Sequence, residues 1–187
     1  MHFDLELIHR LPKTDLHCHL DGSLRVATLL ELARAAGVEL PADTEEALTE
    51  ALRPPPGSDL VAYLRLFDLT LAVMQTEEAL ERIAFELAED AARENVWFLE
   101  VRFAPILHRQ KGLSLGAIVE AVLRGLRRAE GRWRIRSGVI VCGIRHIGPE
   151  VSLELAELAL QYKNLGVVAF DLAGAEKDYP AKHHREA

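Results

Sequence analysis

Paired cysteines and long hydrophobic runs are what this 187-residue sequence lacks. Its two cysteines, Cys18 and Cys142, lie far apart and outside any Cys-x-x-Cys pattern, so we expect no disulfide and a reducing compartment. No segment reaches the ~18–20 apolar residues of a membrane span. The acid-containing N-terminus also lacks the apolar core of a signal peptide. We therefore expect a cytoplasmic protein with no membrane partner.

An excess of positive charge is also absent. The formal net charge of −7 argues against a nucleic-acid backbone as a partner. One basic run, RGLRRAEGRWRIR at residues 124–136, mixes apolar and basic residues, and we interpret it as a helix end passing into a strand. The sequence has no GxGxxG after its first predicted strand and no GxxxxGK[ST] anywhere, which disfavours a dinucleotide-binding fold and a P-loop enzyme.

Predicted strands and helices alternate along the chain. Strands are predicted at 13–20, 96–105, 136–144 and 166–174, and helices at 23–37, within 41–60, and at 59–74, 76–96, 114–131 and 148–164. Ser23 and Thr76 are predicted helix N-caps, and Gly37 a helix stop. The polar tail after Gly174 shows no predicted element. This alternation is typical of βα units around a parallel sheet.

Chemistry in parallel α/β folds collects at the C-terminal ends of the strands. The four predicted strands carry candidate residues near those ends: His17, His19, Arg102, Arg145, His146, Asp171 and Gly174. We therefore expect the functional site at this edge of the sheet.

The stretch TDLHCHLDGS, residues 14–23, carries two histidines one residue apart. Because side chains alternate along a strand, His17 and His19 are predicted to point to one side and Cys18 to the other. Two imidazoles so placed can bind one metal ion, and zinc takes nitrogen ligands readily. The alternative is that one histidine packs in the core and the other caps a turn. The position at the end of the first strand favours the metal.

Asp21 and Gly174 each leave two interpretations open. The Asp21 carboxylate either helps to begin the following helix or accepts a hydrogen bond from a substrate hydroxyl. Gly174 either satisfies the geometry of a loop, since glycine tolerates a positive φ, or lets a ligand approach the backbone N–H.

Four segments resemble, in order and spacing, motifs of the adenosine deaminase family of metal-dependent amidohydrolases. They are LPKTDLHCHLDGSL (11–24), FLEVRFAP (98–105), VIVCGIRH (139–146) and VVAFDLAGAE (167–176). The resemblance implies an α/β fold, a (β/α)8 TIM barrel, of which residues 1–187 would form the N-terminal half with about the first four βα units. It implies zinc-dependent hydrolytic deamination of adenosine or deoxyadenosine to inosine and ammonia, with one zinc ion per complete site.

The resemblance also assigns roles to residues. His17 and His19 would be zinc ligands. His19, Asp21 and Gly174 would bind the purine nucleoside, with Asp21 at the sugar and the Gly174 N–H at the purine ring. The apolar segment DLVAYLRLFDLT (59–70) resembles the family's lid helix, and its apolar contacts to the nucleoside would come from Leu60, Tyr63, Leu64 and Phe67. The alternative for these four is a buried amphipathic helix.

The sequence departs from the family pattern in what it omits. It contains no His-Ala-Gly-Glu motif and no Asp-Asp pair, which in the family supply further zinc ligands and the catalytic glutamate. His183 and His184 do not fit that motif. We therefore expect a truncated chain whose catalytic residues lie downstream of Ala187, whose zinc site is half complete, and whose open barrel edges allow self-association.

Three other functions remain open at this point. The chain could belong to a related deaminase of adenine or of a modified adenosine. It could be a non-catalytic half-barrel that acts through self-association. It could also be a different metal hydrolase, since a His-x-His at the end of a first strand is not specific to one family.

Overall fold

Strands and helices alternate in the folded chain much as the sequence predicts. The structure is a computed structural model that describes residues 4–59 and 63–187. The strands are β1 (Lys13–His19), β2 (Val96–Phe103), β3 (Arg136–Ile144) and β4 (Val167–Ala173). The helices are α1 (Leu5–Arg10), α2 (Val26–Ala36), α3 (Glu45–Ala51), α4 (Phe67–Val73), α5 (Glu77–Arg93), α6 (Leu115–Glu130) and α7 (Pro149–Tyr162). Short 3₁₀ turns lie at Pro105–His108, Lys163–Leu165 and Ala181–His184.

The four strands form one parallel sheet in the order β1-β2-β3-β4. The register places His19 beside Arg102, and Cys142 beside Asp171. Spatial order follows chain order, which is what successive βα units produce. The predicted parallel α/β architecture is confirmed, and the register brings the ends of all four strands to one edge.

The hydrophobic core lies between the two central strands and the helices that cover them. β2 and β3 are mostly buried, whereas β1 is largely exposed and β4 is mostly half-buried. Helices α5 and α6 pack so closely that a Cβ on Gly125 would lie 2.2 Å from the carbonyl oxygen of Glu81. Only a residue without a side chain permits this backbone contact.

Helix ends follow the predicted caps with one exception. The hydroxyl of Thr76 accepts a hydrogen bond from the N–H of Ala79, and Gly37 ends α2 with a φ of 68°. The prediction that Ser23 caps α2 is wrong, because its hydroxyl donates instead to the carbonyl of His19 over 2.5 Å. Helix α2 begins later, after Arg25, whose guanidinium is held by two acids of α5, Glu89 and Asp90.

Two further predictions differ from the structure. The predicted helix at 59–74 is interrupted by a turn, so that α4 covers only Phe67–Val73, while Leu60 lies outside the described residues. The tail is not featureless, since it folds into a 3₁₀ turn that buries His184. Across residues 4–59 and 63–187, no helix has both the length and the apolar character that crossing a membrane requires.

The outer edges of the sheet are unpaired within the described residues. β1 and β4 each hydrogen bond to one neighbouring strand only. Apolar side chains lie exposed on both, with Leu16 at 55% and Val168 at 52% of their full accessibility. Unpaired parallel edges with exposed apolar groups are surfaces on which further strands can add.

Candidate metal and substrate site

A cavity of about 520 Å³ opens at the C-terminal ends of the strands. Its walls come from the ends of all four strands, from α4 and from the tail. Among the lining residues are His19, Asp21, Leu64, Phe67, Cys142, His146, Gly174 and Tyr179. An adjoining cavity of about 400 Å³ shares His19, Leu64, Phe67 and Gly174 and adds His17 and Arg102. The predicted site residues therefore converge at the edge where the sequence places them.

His17 and His19 lie side by side at the end of β1. Their ring centroids are 5.5 Å apart with the planes inclined at 52°. Zinc–nitrogen bonds of about 2.0–2.1 Å at near-tetrahedral angles put two such centroids roughly 5–6 Å apart, so the pair has the right spacing for one ion. Within residues 4–59 and 63–187, no cluster of three or more His, Cys, Asp or Glu side chains could hold a metal. Among these residues the pair would supply only two ligands of a larger set.

Arg102 of β2 fixes the orientation of His17. Its Nη1 lies 2.7 Å from Nε2 of His17, and its guanidinium also forms an ion pair with Asp171 of β4. A guanidinium can only donate, so the ring nitrogen that faces it accepts, and this lone pair is not available to a metal ion while the contact is made. A metal ion bound to this nitrogen would replace the contact with Arg102. The sequence places Arg102 and Asp171 at this edge but does not pair them.

Asp21 presents an unpaired carboxylate oxygen in the cavity. The residue is only 9% exposed, and its Oδ1 makes no hydrogen bond with any described residue. Nδ1 of His19 lies 3.7 Å from that oxygen. A buried carboxylate oxygen without a partner is costly, because it has lost water without gaining a donor. This oxygen is therefore available to accept a hydrogen bond from a ligand hydroxyl.

Gly174 lies just after β4 with a φ of 98°, which disfavours any residue with a side chain. A Cβ at this position would lie 3.4 Å from Cγ2 of Ile144 and 3.6 Å from Nδ1 of His146. The loop interpretation of this glycine is correct. The same geometry leaves its backbone open toward both cavities, so a ligand can approach it.

Phe67, the first residue of α4, forms the wall between the two cavities. Its ring contacts the ring of His19 edge-on at 6.3 Å and that of Tyr63 at 5.4 Å. Gly22 makes room for it, since a Cβ there would lie 3.1 Å from Cε1 of Phe67. The apolar segment is therefore not simply a buried helix, because Phe67 lines the cavities and packs directly on a predicted metal ligand.

Sequence reasoning missed the residues that hold α4 in place. His108 is fully buried, its Nδ1 lies 2.9 Å from the carbonyl of Met74, and burial lowers the pKa of this histidine. The side-chain amide of Gln75 donates to the carbonyls of Leu71 and Leu107, over 2.8 and 3.0 Å. These bonds tie the C-terminal end of α4 to the turn that follows β2. No local pattern signals them, because the partners are about 30 residues apart.

The tail returns to the site and closes one side of it. His184 contacts the hydroxyl of Ser152 through Nδ1 and the carbonyl of Arg145 through Nε2. Both ring nitrogens are thereby occupied, which agrees with the expectation that His184 is not a metal ligand. Anchored in this way, the tail places Tyr179 edge-on against His146, at 5.9 Å between ring centroids, in the wall of the larger cavity.

Comparison with known proteins agrees with this arrangement. A family model described as adenosine deaminase matches residues 12–187. The adenosine deaminase of Vibrio atlanticus is 48% identical over 89% of this chain and 50% of its own length. The chain spans about half the length of most of the curated relatives it matches.

Solved structures extend the match to three dimensions. An amidohydrolase of Burkholderia ambifaria with bound zinc superposes with a TM-score of 0.83 and 25% identity, covering 97% of this chain and 50% of that one. The Arabidopsis protein ADAL in complex with IMP superposes with a TM-score of 0.80 and 33% identity, covering 96% of this chain and 54% of that one. These matches confirm the predicted fold, about half of a TIM barrel of this type. The chain belongs to the adenosine deaminase family.

Proposed function

We propose that this chain supplies the nucleoside-binding half of a zinc-dependent hydrolase that converts adenosine or deoxyadenosine to inosine and ammonia. One observation carries the proposal: a histidine pair spaced for one metal ion lies at two adjoining cavities, and His19 lines the one that contains the unpaired Asp21 carboxylate. A metal-binding pair beside a buried acceptor suits a small polar substrate held next to an activated water. Membership of the adenosine deaminase family supports the reaction class.

His17 and His19 hold the metal in this proposal. The chemistry that zinc supplies when bound is activation of water near neutral pH. Arg102, itself paired with Asp171, lies against the ring of His17 and would give up this contact to the metal. Phe67 packs against the ring of His19 on the side of α4.

Asp21 and Gly174 orient the substrate. The free Oδ1 of Asp21 accepts a hydrogen bond from a hydroxyl of the sugar, and the backbone N–H of Gly174 donates to a ring nitrogen of the purine. No guanidinium or ammonium group forms an ion pair with Asp21 among the described residues. A 5′-phosphate would therefore meet an uncompensated negative charge, which favours a nucleoside over a nucleotide.

The described residues supply two metal ligands and no candidate general acid of the family type. We propose that the remaining ligands and the acid come from strands that add to the open edges of β1 and β4, in the same polypeptide or in a second chain. Exposed Leu16 and Val168 on those edges suit such an addition. When no other segment is present, two copies of this chain would pair through these same edges.

The proposal is tested by calorimetric binding of adenosine to the zinc-loaded chain. Adenosine is expected to bind more tightly than adenine, which lacks the sugar, and to be displaced from this site only weakly by AMP or N6-methyl-AMP. Asp21→Asn is expected to remove the preference over adenine, because the neutral amide accepts a weaker hydrogen bond. Asp43→Asn, which makes the same change at an exposed residue away from the cavity, is the control. Equal binding of adenine and adenosine would support an adenine deaminase instead, and displacement of bound adenosine by a lower concentration of either nucleotide would support a nucleotide deaminase.

A further inference from the structure

Both tryptophans of the chain lie at the N-terminal end of the sheet, opposite the candidate site. Trp97 is the second residue of β2, and Trp133 lies shortly before β3; each is 36% exposed. They line a surface cavity of about 270 Å³, which we name the tryptophan–arginine pocket, formed by Trp97, Glu130, Trp133, Arg134, Ile135 and Arg136. It contains the C-terminal end of the basic run at residues 124–136. The proposed function assigns no role to these residues.

The floor of this pocket is a rigid aromatic–cation stack. The indole N–H of Trp97 donates to Oδ1 of Asn95 over 2.8 Å, which fixes the ring. The guanidinium carbon of Arg134 lies 3.7 Å from the centre of that ring. Among the described residues, the Arg134 guanidinium has no hydrogen-bond or ion-pair partner. Stacking occupies the face of a guanidinium and leaves the N–H groups along its edge free.

The one acid of the pocket is already engaged. Oε1 of Glu130 accepts hydrogen bonds from the backbone N–H and the hydroxyl of Ser137, over 2.8 and 2.7 Å. Its other oxygen lies 3.5 Å from Nη1 of Arg136. Arg93 also lies over the ring of Trp133, at 5.6 Å. A protein of net charge −7 thus carries a locally positive pocket with free donors.

A phosphate ester suits these donors, because a guanidinium edge binds phosphate through paired N–H groups. The ring of Trp133 is 36% exposed and lies in the wall of the pocket, where a base can stack against it. We propose that the tryptophan–arginine pocket binds a nucleoside monophosphate, with its phosphate on Arg134 and Arg136 and its base against Trp133. The pocket shares no residue with the candidate site, so it is a second and separate ligand site.

Tryptophan fluorescence tests the proposal on the intact chain. Because the sequence has only these two tryptophans, the emission reports on the pocket and not on the candidate site. AMP is the probe, and excitation is at the red edge of the indole band, where adenine does not absorb. We expect saturable quenching that weakens as salt is added, since the arginines are exposed to screening.

Matched variants identify the anion contact. Arg134→Gln is expected to raise the Kd for AMP at least about tenfold, because it removes the charge and the paired donors while keeping both indoles. Arg53→Gln makes the same change of charge at an exposed residue of another surface, and is expected to leave the Kd unchanged. Thermal unfolding of both variants shows that each is folded.

Two fragments of AMP separate the contributions of base and phosphate. Adenosine and inorganic phosphate are each expected to bind at least about tenfold more weakly than AMP. Adenosine binding as tightly as AMP would overturn the role of the arginines. Inorganic phosphate binding as tightly as AMP would overturn the nucleotide assignment. No saturable quenching by AMP, or an unchanged Kd in Arg134→Gln, would overturn the proposal as a whole.

Discussion

Nη1 of Arg102 lies 2.7 Å from Nε2 of His17, and the same guanidinium pairs with Asp171 two strands away. One buried cation thus links β1, β2 and β4 at the edge of the sheet that carries the cavity. Arg102 is 6% exposed, so its charge depends on these partners for compensation. The stability of the sheet edge and the orientation of the predicted metal ligand are therefore coupled.

Removing either partner of this pair should leave the other without compensation, so the losses from the two removals should not add. Arg102→Ala leaves Asp171 without its cation, and we expect a loss of up to about 3 kcal/mol in the free energy of unfolding, since Asp171 is partly exposed. The double variant Arg102→Ala, Asp171→Ala should lose less than the sum of the two single variants. Urea unfolding of the four proteins measures the coupling. Additive losses would show that the contact contributes nothing.

The buried His108 should make stability depend on pH in the acidic range. Burial lowers the pKa of His108 in the folded state, so the folded chain resists its protonation. The stabilisation is complete above the unfolded value of about 6.5 and is lost as the pH falls, by at most about 1.4 kcal/mol per pH unit. His108→Asn keeps a donor for the carbonyl of Met74 but does not titrate. Its unfolding free energy should fall less between pH 7 and 5, and an identical fall would contradict this account.

Cys142 should have the opposite effect in the alkaline range. Burial raises the pKa of its thiol from 9.0 to about 11, so the folded state keeps the neutral form. Stability from this group is present below pH 9 and is lost as the pH rises toward 11. Guanidinium unfolding of the wild type and of Cys142→Ala at several pH values should show a steeper decline in the wild type. An equal decline in both proteins would contradict this account, because it would mean that the Cys142 thiol ionises as readily in the folded chain as in the unfolded one.

Gly125 should tolerate no side chain. A Cβ there would lie 2.2 Å from the carbonyl oxygen of Glu81, so Gly125→Ala must push α5 and α6 apart. We expect a loss of about 3 kcal/mol or more in the free energy of unfolding. Gly131→Ala is the control, because its φ is −73° and its nearest neighbours lie 3.6 Å away. That variant should remain within about 0.5 kcal/mol of the wild type.

Much of the fold could be predicted because it follows from local patterns. The boundaries of β3 agree with the predicted 136–144, since that apolar stretch is bounded by polar residues and a turn. The closeness of His17 and His19 follows from the alternation of side chains along a strand. These features need no knowledge of distant residues.

The features that could not be predicted depend on contacts between distant segments. The pairing of Arg102 with Asp171 requires the register of three strands. The cap of α2 shifts away from Ser23 because Arg25 is held by acids about 65 residues further on. The burial of His184 depends on Ser152 and on the turn after β3. Such long-range contacts override local propensity and appear only in the folded chain.

Zinc binding by the isolated chain is the most direct test of the central claim that His17 and His19 form part of a metal site. We expect a calorimetric titration to show one zinc ion per chain or per pair of chains, with weak affinity because the chain contributes two ligands. His17→Ala and His19→Ala should each abolish binding, whereas His183→Ala, which changes an exposed histidine of the tail, should not. Unchanged zinc binding in both His17→Ala and His19→Ala would contradict the account.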